Sequence, residues 1–395
     1  MRPRHVLSLA LLIALAGAAP AARAATPPPT IQSTGNWVLT NAEPTPIQWF
    51  QGLTHTAADD FLFVGINQGG YRASSATLQP LAANDALIPP AVQLAPGFNH
   101  IGDPTYDRGE GGRLLLPLEC YVPGRPNGGN TCGMGGIGVA DPTTLTWRYW
   151  VRLDPADIPK AMWAEVSPDG SLLWTSSGSD LLAYATADIS PAHAATSSAS
   201  APIKPVRRLV GAVPPSGVTG GVFVGGRLFL AGELNGLLQV QSVDLKKGSS
   251  RVELTLPGVG AEAEGLDLLD ARGGVLHWLL TPFGSNGPAT FPGAHTELLS
   301  FIPRKDARLR LTVTPKRLPA GVPGTLTASV RLVFAGSAHP AADVTVSVAG
   351  QQATTDAQGL ATLTVTPPAG AKRLQVTASR PGLRDDDTTV RIKKG

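Results

Sequence analysis

Acidic and imidazole side chains recur at the start of short apolar segments, and these are the residues of the sequence that could do chemistry. His100-Ile101-Gly102-Asp103 and Glu262-Ala263-Glu264-Gly265-Leu266 are the two clearest cases. Carboxylate oxygens brought together from distant positions can hold a hard cation such as Ca²⁺, and a carboxylate or an imidazole can serve as a general acid or base. The candidate site residues are His55, His100, Asp103, Glu119, Glu165, Thr219, Glu233 and Glu264.

Two interpretations of these side chains stay open. In the first they bind a ligand, with Ca²⁺ held by Glu264, Glu165, Asp103 and also His100. In the second they are structural and bond the backbone of a neighbouring element, because a buried polar group needs a partner. The sequence has no G-x-S-x-G, H-E-x-x-H, P-loop or Cys-x-x-Cys motif, which excludes only the enzyme families that require one.

The elements that must position these residues are short strands separated by Gly, Pro, Asp and Asn turns, a pattern typical of all-β proteins. Five loosely similar units each run from a small or acidic segment into a strongly apolar strand. Their marker residues are Gly52, Gly102, Glu165, Thr219 and Gly265, at intervals of 50, 63, 54 and 46 residues. Their apolar strands are 61–64, 113–116, 171–174, 227–230 and 275–278. The spacing predicts a five-bladed β-propeller of four strands per blade, and a sixth, degenerate blade stays open.

In such a propeller the first strand of each blade lines the central channel, so the candidate residues should converge on one axis. The last unit supplies only three strands, ending at 298–302. We expect residues 36–40 to supply the fourth, which would close the ring and remove two sheet edges. The two blade-opening segments quoted above resemble those of calcium-dependent propeller hydrolases and phytase-esterase-like propellers, over residues 37–303. This resemblance implies a metal-dependent lactonase-like or phosphoesterase-like activity in the channel.

The composition changes after a linker at Pro303-Arg304-Lys305-Asp306. Short alternating strands are predicted at 309–313, 325–332, 344–348, 361–365, 374–378 and 388–392, which fits an immunoglobulin-like β-sandwich over 304–395. The segment 354–362 (Thr-Thr-Asp-Ala-Gln-Gly-Leu-Ala-Thr) resembles a strand-turn-strand signature of bacterial Ig-like domains. That resemblance implies a spacer or adhesive module.

The N-terminus has basic residues at Arg2 and Arg4, an apolar stretch over 6–16 and small residues up to Ala24. This predicts a secretory signal peptide of residues 1–24, leaving 25–303 for the propeller, and the apolar stretch is too short for a membrane span. Its removal takes away three arginines, so the 32 basic residues fall to 29 and equal the 29 acidic ones. A neutral chain without basic clusters predicts no nucleic-acid partner.

The only two cysteines, Cys120 and Cys132, are predicted to form a disulfide in an exported protein. The tryptophans are predicted to pack in the core, and strand alternation places Trp147 and Tyr149 on one face with Trp150 on the other. We expect a secreted propeller that binds an unknown small molecule, glycan or protein. The alternatives are a calcium-dependent hydrolase that uses the channel, and a cell-surface adhesion protein.

Overall fold

Antiparallel strands make up nearly all of the regular structure. The computed structural model describes residues 33–393, apart from 66–67, 110, 123–128, 216, 258–259, 270–273, 283–294, 335–336, 357 and 382. The predicted signal peptide lies outside these residues. The α-helix α1 (Pro90–Leu94) has five residues. Within the described residues, no helix is long and apolar enough to cross a membrane.

Residues 34–303 form five antiparallel sheets, two of which include the first two strands that the structure describes. The first two strands are β1 (Thr34–Gly35) and β2 (Trp37–Pro46). Sheet 1 contains β3 (Gly52–His55), β4 (Phe61–Val64), β5 (Gly70–Ala73) and β6 (Pro80–Asn84). Sheet 2 contains β7 (His100–Ile101), β8 (Thr105–Asp107), β9 (Arg113–Glu119), β10 (Gly136–Ala140) and β11 (Trp147–Arg152). Sheet 3 contains β12 (Glu165–Val166), β13 (Leu172–Ser177), β14 (Asp180–Ala185) and β15 (Arg207–Leu209).

Sheet 4 contains β16 (Gly217–Val224), β17 (Arg227–Leu234), β18 (Leu237–Val243) and β19 (Ser250–Leu256). Sheet 5 contains β20 (Glu262–Leu269), β21 (Val275–Thr281) and β22 (His295–Pro303). In each sheet the strands pair in chain order, and both β7 and β8 pair with β9. The structure confirms the five predicted apolar strands. Each of them pairs with the first strand of its sheet.

The N-terminal strands complete two of the sheets. β2 pairs antiparallel with β22, with Trp37 opposite Pro303 and Pro46 opposite His295. β1 pairs with β19, so residues 34–46 tie sheet 4 to sheet 5. The predicted pairing of residues 36–40 with the last strand of the unit is therefore present, and it gives sheet 5 its fourth strand.

Five apolar clusters join each sheet to the next around a closed circuit. The cluster between sheets 1 and 2 includes Leu62 and Leu116. The following clusters join sheet 2 to 3, sheet 3 to 4 and sheet 4 to 5. The circuit closes where Phe61 and Phe63 of sheet 1 pack against Leu279 and Leu298 of sheet 5. Because both faces of β4 are buried in this way, its sequence is continuously apolar instead of alternating.

One predicted alternation is wrong. Trp147 packs beside the cluster that holds Trp150, while Tyr149 lies against the cluster between sheets 2 and 3. The register of β10 against β11 shifts between Val139, opposite Tyr149, and Ala140, opposite Trp147. Arg148 is therefore the extra residue of a β-bulge, and an inserted residue moves its neighbour to the other face. The other tryptophans are buried, as predicted.

Residues 308–393 form two further sheets that share one core. The strands are β23 (Arg308–Thr314), β24 (Arg317–Pro319), β25 (Gly324–Phe334), β26 (Ser337–Pro340), β27 (Thr345–Val348), β28 (Gln351–Thr354), β29 (Leu360–Val365), β30 (Arg373–Ser379) and β31 (Asp386–Lys393). One sheet has the order β23-β25-β26 with β29 also on β25, and the other has the order β24-β31-β30-β27-β28. Their common core also includes Val38, Val275 and Ile302 from sheet 5.

Candidate functional site

Asp103 accepts hydrogen bonds from three different sheets. Its Oδ1 accepts the amide of Leu53 at 2.9 Å, and its Oδ2 accepts the amides of Gly221 at 3.2 Å and Leu266 at 3.3 Å. Its own amide donates to Met162 O at 2.9 Å, and its carbonyl accepts from the Ala164 amide at 3.1 Å. Asp103 lies between β7 and β8 of sheet 2, and residues 162–164 directly precede β12 of sheet 3, so this one residue links all five sheets or the segments that enter them. We call this arrangement the Asp103 junction.

Local backbone features bring the three amides to Asp103. The register of β16 shifts at Thr219 and that of β20 shifts between Ala263 and Leu266, so both strands are bulged next to the junction. Bulges re-aim backbone groups in this way. A Cβ on Gly265 would lie 2.7 Å from Asp103 Oδ1, and one on Gly220 would lie 2.8 Å from Oδ2. Only glycine allows these two strands to approach the carboxylate so closely.

Burial raises the pKa of the Asp103 carboxyl, and the three amide donors oppose that rise. Both oxygens are occupied by donors from the backbone, so they have little capacity left for another ligand. Among the described residues, no group of three or more His, Cys, Asp or Glu side chains is arranged to hold a metal ion. Asp103, Glu165 and Glu264 therefore do not form a ligand set, and calcium binding stays a prediction that this geometry does not support.

A second group of predicted residues lies around Glu119. Lys160 Nζ is 3.6 Å from Glu119 Oε2, and His100 Nε2 is 3.5 Å from Oε1. Burial and the Lys160 ammonium lower the pKa of His100 to about 4, so its contact with Glu119 at neutral pH is not an ion pair. Burial, with the charges of Glu262 and Asp103, raises the pKa of Glu264.

Glu233 and Thr219 complete the set predicted from sequence. Burial and the charge of Glu233 raise the pKa of Glu262. Thr219 occupies the bulge of β16, and its hydroxyl is buried without a hydrogen-bond partner among the described residues. Neither Thr219 nor Glu233 lines the cavity described next.

A cavity of about 530 Å³ opens where one strand from each of the five sheets meets the others, namely β3, β8, β12, β16 and β20. Its lining includes Glu165 and also His55, both singled out in the sequence. His55 Nδ1 is 2.9 and 3.0 Å from the two carboxylate oxygens of Asp267, which joins sheet 1 to sheet 5. Glu165 Oε2 accepts the Thr105 hydroxyl at 2.7 Å, and Oε1 accepts the Phe223 amide at 3.2 Å. Polar bonds between neighbouring sheets thus hold the functional groups of the cavity in place.

The electrostatics of the cavity favour a cationic histidine and a neutral glutamic acid at neutral pH. The Asp267 carboxylate raises the pKa of His55 to about 9, and Arg108 opposes this rise. Burial raises the pKa of Glu165 to about 8, assisted by the negative charge of Asp267. Perturbed groups that line a cavity are typical of binding and catalytic sites, and also of structural networks.

Sequence reasoning missed Asp267, Thr105 and Arg108 as members of the site. The signal for Asp267 was a single charged residue inside the apolar segment Leu266-Asp267-Leu268-Leu269. A buried carboxylate in the middle of such a strand requires a partner, and here the partner is His55. The predicted disulfide between Cys120 and Cys132 is present, although residues 123–128 of the loop that it closes lie outside the described ranges.

No protein-family model and no curated protein matches this sequence. Solved structures resemble it weakly. The PQQ-bound aldose sugar dehydrogenase of Streptomyces coelicolor is 12% identical over 69% of this chain and 99% of its own, with a TM-score of 0.36. The glutaminyl cyclase of Myxococcus xanthus is 12% identical over 69% and 97%, with a TM-score of 0.41. The extracellular domain of a one-component system of B. thetaiotaomicron is 11% identical over 87% and 43%, with a TM-score of 0.32. Likenesses at this level say nothing about the function of this chain.

Proposed function

We propose that the chain is a secreted five-bladed β-propeller, residues 25–303, followed by an Ig-like sandwich of residues 304–395. Five sheets joined by a closed circuit of apolar clusters support the blade number. The alternating burial of β23 and the shared core of the last two sheets support the sandwich. A disulfide between the two cysteines supports an oxidising compartment.

We propose further that the propeller is a binding module that takes a small polar ligand in the cavity. The observation that carries this proposal is the cavity itself, which at about 530 Å³ lies within the range of small-molecule sites, roughly 300–1,000 Å³. Its polar groups are held by bonds between sheets, and Val222, Phe223 and Leu268 add apolar surface. No arrangement among the described residues favours the calcium-dependent hydrolase over binding.

Thermal melts against a library of small acids, amines, sugars and other neutral compounds test this proposal. A ligand that binds the folded state raises the midpoint in a saturable manner. We expect at least one compound to do so, and we expect Arg108→Trp at the cavity lining to abolish the shift. Arg310→Trp, at an exposed position of β23, is the matched control. A shift that survives in Arg108→Trp, or a library without any hit, would overturn the proposal.

A further inference from the structure

The acidic groups of the cavity already have hydrogen-bond donors. Asp107 accepts Arg113 Nε at 3.0 Å and the Gly109 amide at 2.8 Å. Asp169 accepts the hydroxyls of Ser167 at 2.6 Å and Ser171 at 2.8 Å. Asp267 is bonded to His55, and Glu165 accepts from the Thr105 hydroxyl and the Phe223 amide. The carboxylates of the cavity are therefore largely committed to the protein.

The cationic donors of the cavity are not committed in the same way. Arg108 is exposed at the lining and makes no hydrogen bond or ion pair with any described residue. His55 bonds Asp267 through Nδ1, which leaves its second ring nitrogen without a hydrogen bond in the described structure. Arg108 is close enough to His55 for its charge to lower the histidine pKa. Two basic side chains with N–H donors that no described residue uses thus line one cavity.

We propose that the cavity binds its ligand through an anionic oxygen group, a carboxylate or a phosphate, received by Arg108 and His55. This inference rests on the proposed function, because it names the chemistry of the ligand for the same cavity. Arg presents a fork of donors that matches such groups, and bonds between charged partners are the strong ones. Phe223, Val222 and Leu268 provide apolar surface for the uncharged remainder of the ligand.

The titration of the cavity adds a pH dependence to this geometry. The charged groups that act on His55 are Asp267, Arg108 and Glu165, and its pKa is about 9. Glu165, with a pKa of about 8, faces Asp267 and His55. As pH rises through 8 and 9, Glu165 gains a negative charge and His55 loses its positive charge. Both changes weaken the binding of an anion, so affinity should fall across that interval.

Paired probes separate this inference from the proposed function. Calorimetric titrations would compare glucuronate with glucose, benzoate with benzamide, and glycerol phosphate with glycerol. We expect an acid or a phosphate to bind at least tenfold more tightly than its neutral partner. We expect Arg108→Gln to reduce that affinity about tenfold, as loss of a charge-assisted bond implies, and Arg310→Gln to leave it unchanged.

The outcomes have distinct meanings. Carboxylate binding without phosphate binding, or the reverse, identifies which anionic group the cavity takes, and both support the inference. If neutral or cationic compounds bind as tightly as the acids, the inference is overturned and the binding function survives. If Arg108→Gln leaves acid binding intact, the inference is likewise overturned. If no library compound of any charge binds, both fail together.

Discussion

The Asp103 carboxylate joins strands that lie far apart in the sequence. Its two oxygens accept hydrogen bonds from the amides of Leu53, Gly221 and Leu266, which lie 50, 118 and 163 positions away in the sequence. The sequence indicated that a polar residue at this position needs a partner. It could not indicate which partners, since they are backbone groups of residues that carry no polar side chain.

We predict that Asp103→Ala strongly destabilises the protein. Removal of the acceptor leaves three buried amides unsatisfied, each worth about 1–3 kcal/mol, so a loss of at least about 3 kcal/mol is expected. Asp103→Asn should also destabilise the protein, because the side-chain nitrogen of the asparagine would face a backbone N–H donor. Denaturant unfolding measures both variants, with Asp385→Ala at an exposed position as the control. Stability within 1 kcal/mol of the parent, roughly a single lost hydrogen bond, would contradict the junction's role.

The His55 and Glu165 pKa values predict that stability falls as pH rises. Glu165 titrates near 4.5 when unfolded and near 8 when folded, and His55 near 6.5 and near 9. In both cases the folded state binds more protons between the two values, so stability is greatest below the unfolded pKa and is lost as pH rises through the folded one.

Denaturant midpoints between pH 5 and 9 measure this effect. We expect the parent protein to lose several kcal/mol over that interval, since each pH unit that separates the unfolded from the folded pKa of one group is worth about 1.4 kcal/mol. Glu165→Gln should flatten the slope between pH 5 and 8, and His55→Gln should flatten it between pH 7 and 9. Glu43→Gln, on the exposed part of β2, should leave both slopes unchanged. If the stability of the parent protein instead rises with pH, the raised pKa values of His55 and Glu165 are contradicted.

At the scale of elements, most strands could be predicted, because turn residues and apolar segments are local signals. The pairing of β2, the closing strand, with sheet 5 could be predicted too. The last unit supplied only three strands, and residues 36–40 belonged to no unit of their own. The bulge at Arg148 could not, because alternation assumes one residue per pleat. The short strands β24, β26 and β28 of the C-terminal part were missed, as three or four residues carry too little pattern.

We predict that the closing strand contributes much of the stability of sheet 5. Trp37 is buried and meets Phe229 of sheet 4 edge-to-face, with ring centroids 5.9 Å apart. Trp37→Ala should cost about 3–5 kcal/mol, as large-to-small core substitutions do. Chemical unfolding would measure the loss, and Trp37→Phe should recover part of it. A cost below 1 kcal/mol would mean that this strand is not part of the cooperative fold.

At the scale of the whole molecule, the C-terminal sheets and sheet 5 share a core. Val38 and Ile302 belong to the same apolar cluster as Leu326 and Val346, and Arg380 Nη2 donates to Leu39 O at 3.1 Å. The two parts of the chain should therefore unfold together. The seven tryptophans all lie between positions 37 and 278, so their fluorescence reports only the first part.

Leu326→Ala tests this coupling. The substitution lies in the C-terminal core and should cost about 2–5 kcal/mol there. If the parts are coupled, the unfolding midpoint measured by tryptophan fluorescence falls as well, whereas Leu360→Ala, at an exposed position, leaves it unchanged. An unchanged fluorescence midpoint in Leu326→Ala, alongside a lowered circular-dichroism midpoint, would show two independent units.

The pairing of β2 with β22 also sets an order in time. Thr40 and Ser300, which bond across this pair, are separated by 260 positions. During synthesis β2 must therefore remain without this partner until the residues of β22, which ends at Pro303, have been made. Closure of so distant a contact is entropically costly and slow. The residues of β2 are made before those of the five sheets and yet find their partner strand among the last, so a chain that is still being made cannot complete the circuit.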